Sequence, residues 1–261
     1  MNNMDFVLLF LLGISVGSFL NVVIYRLRNN DSAMRGRSYC DYCKKPISWL
    51  DNIPLLSYLW LGGKSRCCYK KILVDYPLVE LLTGLQFVWV YWLLKVNFNW
   101  FGQLEGSYSF GLLIYWLILF AGSLIIAVFD FKYMLIPDKV LWIMGLAAGG
   151  RLLITQQWQY LLIGVLSGLF LWTLRTISKG KMGDGDVFLG IVMGLVLGWP
   201  QILIAYFIAF LTGASAGVIL IMLSKKKLKD KIAFGPFLLL GMLIAKLWGW
   251  TMWQGYIQWL I

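Results

Sequence analysis

Histidine is missing from all 261 residues. Its absence removes the usual general base, the usual proton shuttle and the commonest zinc ligand from any mechanism this chain could run. Charge is scarce as well: 13% of the residues are Asp, Glu, Lys or Arg, against 60% that are apolar. Such a balance leaves too little polar surface to coat a water-soluble globule of this length, so the solvent must be largely lipid. The 12 acidic residues are outnumbered by 23 basic ones. These basic residues gather in short stretches between long apolar runs, which points to membrane topology and away from nucleic acid. No internal repeat or low-complexity tract stands out, and cysteine occurs only four times. Chemistry therefore falls to carboxylates, thiols, hydroxyls or amines.

The apolar runs predict an all-α integral membrane protein with about eight transmembrane helices, near 4–26, 77–95, 108–130, 138–154, 158–174, 184–199, 202–223 and 236–258. The first run carries Gly and Ser and leads into a Cys-containing loop, not a small-residue cleavage site, so it reads as a retained span. The span at 184–199 is short and glycine-rich, and that at 138–154 contains "GLAAGG"; both suit packing inside a bundle. Eight spans put loops 27–76, 131–137, 175–183 and 224–235 on one side. Those loops and their junctions hold all but three of the 23 basic residues, the exceptions being Lys95, Arg151 and Lys246. The positive-inside rule makes that side cytoplasmic and puts both chain ends outside. The run "KKKLKDK" at 225–231 reads as an inside anchor that also meets anionic lipid head groups.

A carboxylate near the end of a membrane helix is costly unless it caps, pairs or does chemistry. Asp138 follows Pro137 and reads as the N-cap of the fourth span, and Asp184 can serve the sixth in the same way. Asp130 is harder to place, because it lies at the end of the third span where the helix dipole disfavours a negative charge. Asp186 sits in "GDGDVFLG", where Gly183 and Gly185 let the backbone turn or pack tightly; taken alone it could be an N-cap. Together Asp130 and Asp186 offer what peptide hydrolysis without metal or histidine requires, a carboxylate pair sharing one proton.

Seven ordered segments then carry a resemblance that runs almost end to end. They are "GSFLNVVIYRL" at 17–27, "CDYC" at 40–43, "ISWLDNIPLLSYLWLGGKSRC" at 47–67, "YPLVELLTG" at 76–84, "DFKYMLIPD" at 130–138, "MGDGDVFLG" at 182–190 and "FGPFLLLG" at 234–241. With these the chain resembles the bacterial type IV prepilin peptidases, which are prepilin leader peptidases and N-methyltransferases. The resemblance implies that Asp130 and Asp186 are the catalytic pair, with Gly183, Gly185, Asp184, Pro137 and Asp138 supporting them. It implies pilin-like precursors as substrates, cut on the cytoplasmic side after a short basic leader, and methyl transfer from S-adenosylmethionine to the new N-terminus. Residues 1–96, with the Cys loop at 27–76 as a small cytoplasmic subdomain, would be the methyltransferase part, and 97–261 the membrane peptidase domain. Glu80, in "PLVEL", is the methyltransferase candidate, the alternative being an interhelical hydrogen bond.

Cys40 and Cys43 form a C-x-x-C knuckle and Cys67 and Cys68 complete the four thiols that a structural zinc needs; the alternative is a reduced thiol cluster without metal. The second knuckle departs from the family pattern, since Ser65 stands where its first cysteine belongs, Cys68 matches the second and Cys67 is displaced. Two other functions stay open. Asp130 and Asp186 could be an ion relay in a transporter, or the Gly-x-Gly-Asp motif could belong to an intramembrane protease of other substrates.

Overall fold

The structure is a computed structural model that describes residues 3–28, 36–95, 110–178, 182–223 and 233–260. The basic run at 225–231 lies outside those residues, as do Lys179 and Lys181. Helices are α1 (Asn3–Arg28), α2 (Leu56–Trp60), α3 (Asp75–Lys95), α4 (Phe110–Tyr133), α5 (Asp138–Thr155), α6 (Gln159–Ile177), α7 (Asp184–Leu197), α8 (Gln201–Met222) and α9 (Gly235–Leu260). Apart from the short α2, they coincide with the eight expected spans. Among the described residues β-structure amounts to two isolated antiparallel bridges, Tyr39–Pro46 and Lys64–Lys71.

Six of the helices (α1, α3, α4, α6, α8 and α9) are long and apolar enough to cross a membrane. Of the rest, α5 and α7 are the ones whose sequences suggested burial in a bundle. α7 has 14 residues, about 21 Å at ~1.5 Å per residue, short of the roughly 30 Å of hydrocarbon. α5 carries Asp138, Lys139 and Arg151 within its 18 residues.

The chain forms two compact units, the first ending within α4 at Leu124 and the second running from Ile125 onward. In the first, α1 packs along α3. Glycine makes this approach possible: a Cβ on Gly13 would lie 2.7 Å from Gly84 Cα, and one on Gly17 equally close to Glu80 Cα. The segment between α1 and α3 is anchored by Asn21, whose side-chain amide donates to the Tyr76 carbonyl at 3.0 Å.

In the second unit α6 packs on α7 and α8 on α9, and α7 also touches α5, α8 and α9. α7 is therefore the central helix of this unit, with Leu189, Val192, Met193, Val196 and Leu197 buried. Gly164 and Gly194 let α6 and α7 meet backbone to backbone, since a Cβ on Gly194 would stand 2.7 Å from Gly164 Cα. Ser167 ties the same helices together by donating to the Gly190 carbonyl.

Two expected caps are corrected. Asp138 is the first residue of α5, with the extended Pro137 in the cap position and no side-chain cap bond. Asp184 is likewise the first residue of α7, and Gly183 is its cap. The reason is local: Pro137 has φ fixed near a value that lets the helix start right after it, and the glycine before Asp184 turns the chain without needing a side-chain acceptor.

Candidate functional site

α4 continues one turn past the position expected for its end, to Tyr133, so Asp130 sits inside its last turn. The chain then reverses at Met134 (φ 53°) and runs through Ile136 and Pro137 into α5. α7 begins after Gly183 and places Asp186 in its first turn. Both carboxylates belong to the second unit, and both are nearly sealed, with Asp130 4% and Asp186 7% exposed.

Each is held by a backbone N–H. Gly235, at the start of α9, donates to Asp130 Oδ2 at 2.8 Å, and Gly183 donates to Asp186 Oδ2 at 3.1 Å. The second contact is the N3-to-cap half of a capping box, so Asp186 does help to start its helix, as its sequence position allowed. Its other oxygen, Oδ1, is buried and has no hydrogen-bond partner. A buried carboxylate oxygen without a partner is costly, and a proton, water or substrate would satisfy it. The two aspartates are close enough for the charge of Asp130 to be felt at Asp186.

Ile136 brings the pieces into register. A Cβ on Gly185 would lie 2.6 Å from Ile136 Cβ, and one on Gly235 would lie 3.3 Å from Ile136 Cδ1 and 2.7 Å from Asp130 Oδ2. The glycines of "GDGD" and "FGPF" therefore leave room for Ile136 and for the Asp130 carboxylate. Gly235 was visible in the sequence only as part of a motif, with no role attached. Asp184 points away from this centre: it is 70% exposed and pairs with Arg175 of α6 at 2.7 Å. Asp138 is exposed.

Glu80 belongs to the first unit. It is buried and accepts the Leu55 N–H at 2.8 Å.

The cysteine segment is a pair of matching knuckles. In the first, Cys40 N–H donates to the Lys45 carbonyl and Lys44 N–H to the Cys40 carbonyl; in the second, Ser65 and Tyr69 make the corresponding bonds with Lys70 and Ser65. Lys44 (φ 57°) and Tyr69 (φ 56°) both take the left-handed conformation. Ser65 thus occupies the place of Cys40, Cys68 that of Cys43, and Cys67 that of Tyr42. Despite the displacement all four Sγ atoms lie within 4.8 Å of one another, with Cys40–Cys68 at 3.7 Å and Cys43–Cys67 at 3.0 Å. Tetrahedral Zn–S bonds of about 2.3 Å need sulfurs roughly 3.8 Å apart, so the four thiols fit a zinc ion with small side-chain shifts. Burial pushes the Cys40 thiol up, but the Cys43 N–H, the Ser65 hydroxyl and the Tyr42 N–H outweigh it and bring the group to about 6. The Ser65 hydroxyl by itself would lower Cys67, yet the Cys43 thiol, burial and Cys40 together raise it to about 11.

Residues 11–94 match the family described as Bacterial Peptidase A24 N-terminal domain, and 117–218 match the Type IV leader peptidase family. The chain is 35% identical to a prepilin leader peptidase/N-methyltransferase of Aeromonas hydrophila, covering 97% of this chain and 93% of that one. It is 34% identical to the protein of that name in Pseudomonas aeruginosa, over 95% and 92% of the two chains. For the one in Bacillus subtilis the identity is 30%, over 96% and 97%. No solved structure matches. With relatives at this identity along nearly its whole length, the chain belongs to the type IV leader peptidase family and is a multi-pass peptidase of the inner membrane.

Proposed function

We propose that Asp130 and Asp186 are the catalytic pair of an aspartic endopeptidase that removes the short basic leader from type IV pilin-like precursors at the cytoplasmic face of the membrane. The observation that carries this is the pairing of two buried carboxylates, each with one oxygen held by a backbone N–H, while Asp186 Oδ1 is left without a partner. Two such groups close together hold one proton between them, because both cannot ionise in a poorly solvated site. The ionised member removes a proton from water, which adds to the scissile carbonyl carbon, and the protonated member gives its proton to the carbonyl oxygen. Collapse of the tetrahedral species expels the amine, which leaves with a proton from the pair. Gly183, Gly185 and Gly235 support the pair, the first and last by donating N–H groups and the last two by leaving space. Pro137 aims the turn that carries Ile136, and the exposed Asp138 adds negative charge toward a basic leader, whereas the charge of Asp184 is taken up by Arg175.

The gathering of basic residues in the loops on one side supports a cytoplasmic site with both chain ends outside. We assign residues 97–261 to the peptidase and 1–96 to the N-methyltransferase. In the latter, S-adenosylmethionine would supply an electrophilic methyl group to the amine that cleavage exposes. Glu80 is the candidate residue there, and Cys40, Cys43, Cys67 and Cys68 would hold a structural zinc that braces the segment.

Cleavage of a pilin-like precursor by the purified protein in liposomes, parent against Asp130→Asn and Asp186→Asn, tests the assignment. Each folded variant is expected to lose about 10²–10⁴-fold in rate or more. Normal cleavage by both would refute it.

A further inference from the structure

The segment between α4 and α5 holds open backbone beside the carboxylate pair. Met134 follows α4 in the left-handed conformation (φ 53°), which turns the chain out of the helix. Pro137 takes extended angles (φ −75°, ψ 118°), and a residue that precedes proline is itself driven to extended backbone. Leu135, Ile136 and Pro137 accordingly lie outside any helix. The Met134 N–H still donates to the Asp130 carbonyl, and the Pro137 carbonyl accepts from Val140 and Leu141 as α5 starts. Between them, the N–H and C=O groups of Leu135 and Ile136 make no hydrogen bond among the described residues. Backbone groups left open on consecutive extended residues are the equivalent of a sheet edge, a template for another extended chain.

Position decides which chain that is. Ile136 packs against Gly185, the neighbour of Asp186, and against Gly235, which donates to Asp130. Leu135 is 64% exposed, as alternation along an extended chain directs. The open backbone is thus pinned to the catalytic pair through one residue and accessible at the next. With both carboxylates nearly covered, a substrate must approach along a part of the wall that is open, and this segment is open. The substrate has the matching need. In a helix the scissile carbonyl is engaged by an amide four residues on, so cleavage requires that stretch to extend, which strips peptide groups of their partners in a poorly solvated place.

We infer that Leu135 and Ile136 form a β-template: the precursor residues around the scissile bond extend and pair with this segment main chain to main chain, which brings the scissile carbonyl to Asp130 and Asp186. Successive residues of a strand present their N–H and C=O groups to opposite sides, so one of the two makes both bonds, to a single residue of the precursor. Binding of this kind draws its affinity from backbone and tolerates different side chains. The inference rests on the proposed catalytic pair and names how the substrate of that pair is held.

The test is cleavage, by the full-length protein in liposomes, of synthetic pilin-like precursors in which one amide near the scissile bond, never the scissile amide itself, is replaced by an ester that lacks the N–H. One ester position is expected to lower kcat/KM about fivefold, the worth of one net hydrogen bond, while esters on either side of it change kcat/KM less than about twofold. A benzophenone side chain in place of Leu135 reports location. In Asp186→Asn, which should retain uncut precursor, light is expected to link this probe to residues flanking the scissile bond, and the same probe in place of Trp158, just before α6, should not link there. If every ester precursor is cut as fast as the all-amide one, the inference falls, and the catalytic pair stands provided that Asp130→Asn and Asp186→Asn are inactive. If those two variants cut normally, or the parent cuts no precursor, the catalytic reading falls and this inference with it.

Discussion

The N–H of Gly235 reaches Asp130 from the far end of the second unit's sequence, at 2.8 Å. A methyl group at that position would press on the same carboxylate oxygen. Gly235→Ala is therefore expected to lower peptidase kcat by about 10²-fold with little change in KM, since a displacement of about 1 Å at a catalytic group costs that much; steady-state cleavage kinetics measure it. In the first unit, the Ser65 hydroxyl lies 3.0 Å from Cys67 Sγ and 3.5 Å from Cys40 Sγ, beside the thiols and not among them. Ser65→Ala should accordingly retain zinc, whereas Cys67→Ala or Cys40→Ala should lose most of it, as elemental analysis of the purified protein would show. Sequence spacing predicted that Ser65 stands in a cysteine's place. It could not show that Cys67 swings inward to compensate, because that depends on a knuckle closed by backbone hydrogen bonds.

At the scale of the helix, α7 is too short to cross a bilayer alone and survives in the second unit because its neighbours cover it. Its contact with α6 is made by glycines, so Gly194→Ala, which puts a Cβ against the Gly164 backbone, is expected to destabilise the fold by about 1–3 kcal/mol. A lower melting temperature in detergent, together with reduced cleavage because α7 carries Asp186, would be the sign. All the helices other than the short α2 were legible as apolar runs, six of them by a length sufficient to cross a membrane. Their starts were less so: Asp138 and Asp184 each looked like a cap and are instead first-turn residues, since a proline and a glycine occupy the cap positions. Which of two adjacent residues becomes the cap is a matter of φ and ψ, and composition carries little information about it.

For the molecule as a whole, charge asymmetry predicts that the cysteine segment faces the cytoplasm. Cys67 is exposed, so after chelation a membrane-impermeant maleimide should label it in inside-out vesicles and leave it unmodified in intact spheroplasts. Labelling of the intact cells would reverse the orientation and, with it, the side on which a basic leader is cut.

Residue chemistry and order alone determined that this chain lives in lipid, that it is built from about eight apolar helices, and that histidine takes no part in its chemistry. Those features follow from hydrophobic run length, the cost of a charge in hydrocarbon and the lack of histidine, all of which are local. Tertiary structure decided the rest: that Gly235 serves Asp130, that Ile136 fits between two glycines, that Cys67 joins the other thiols, and that Glu80 accepts the Leu55 N–H. Each of these depends on atoms brought together from distant parts of the chain by helix packing, where a single methyl group changes what fits, and no pattern read along one helix contains that information.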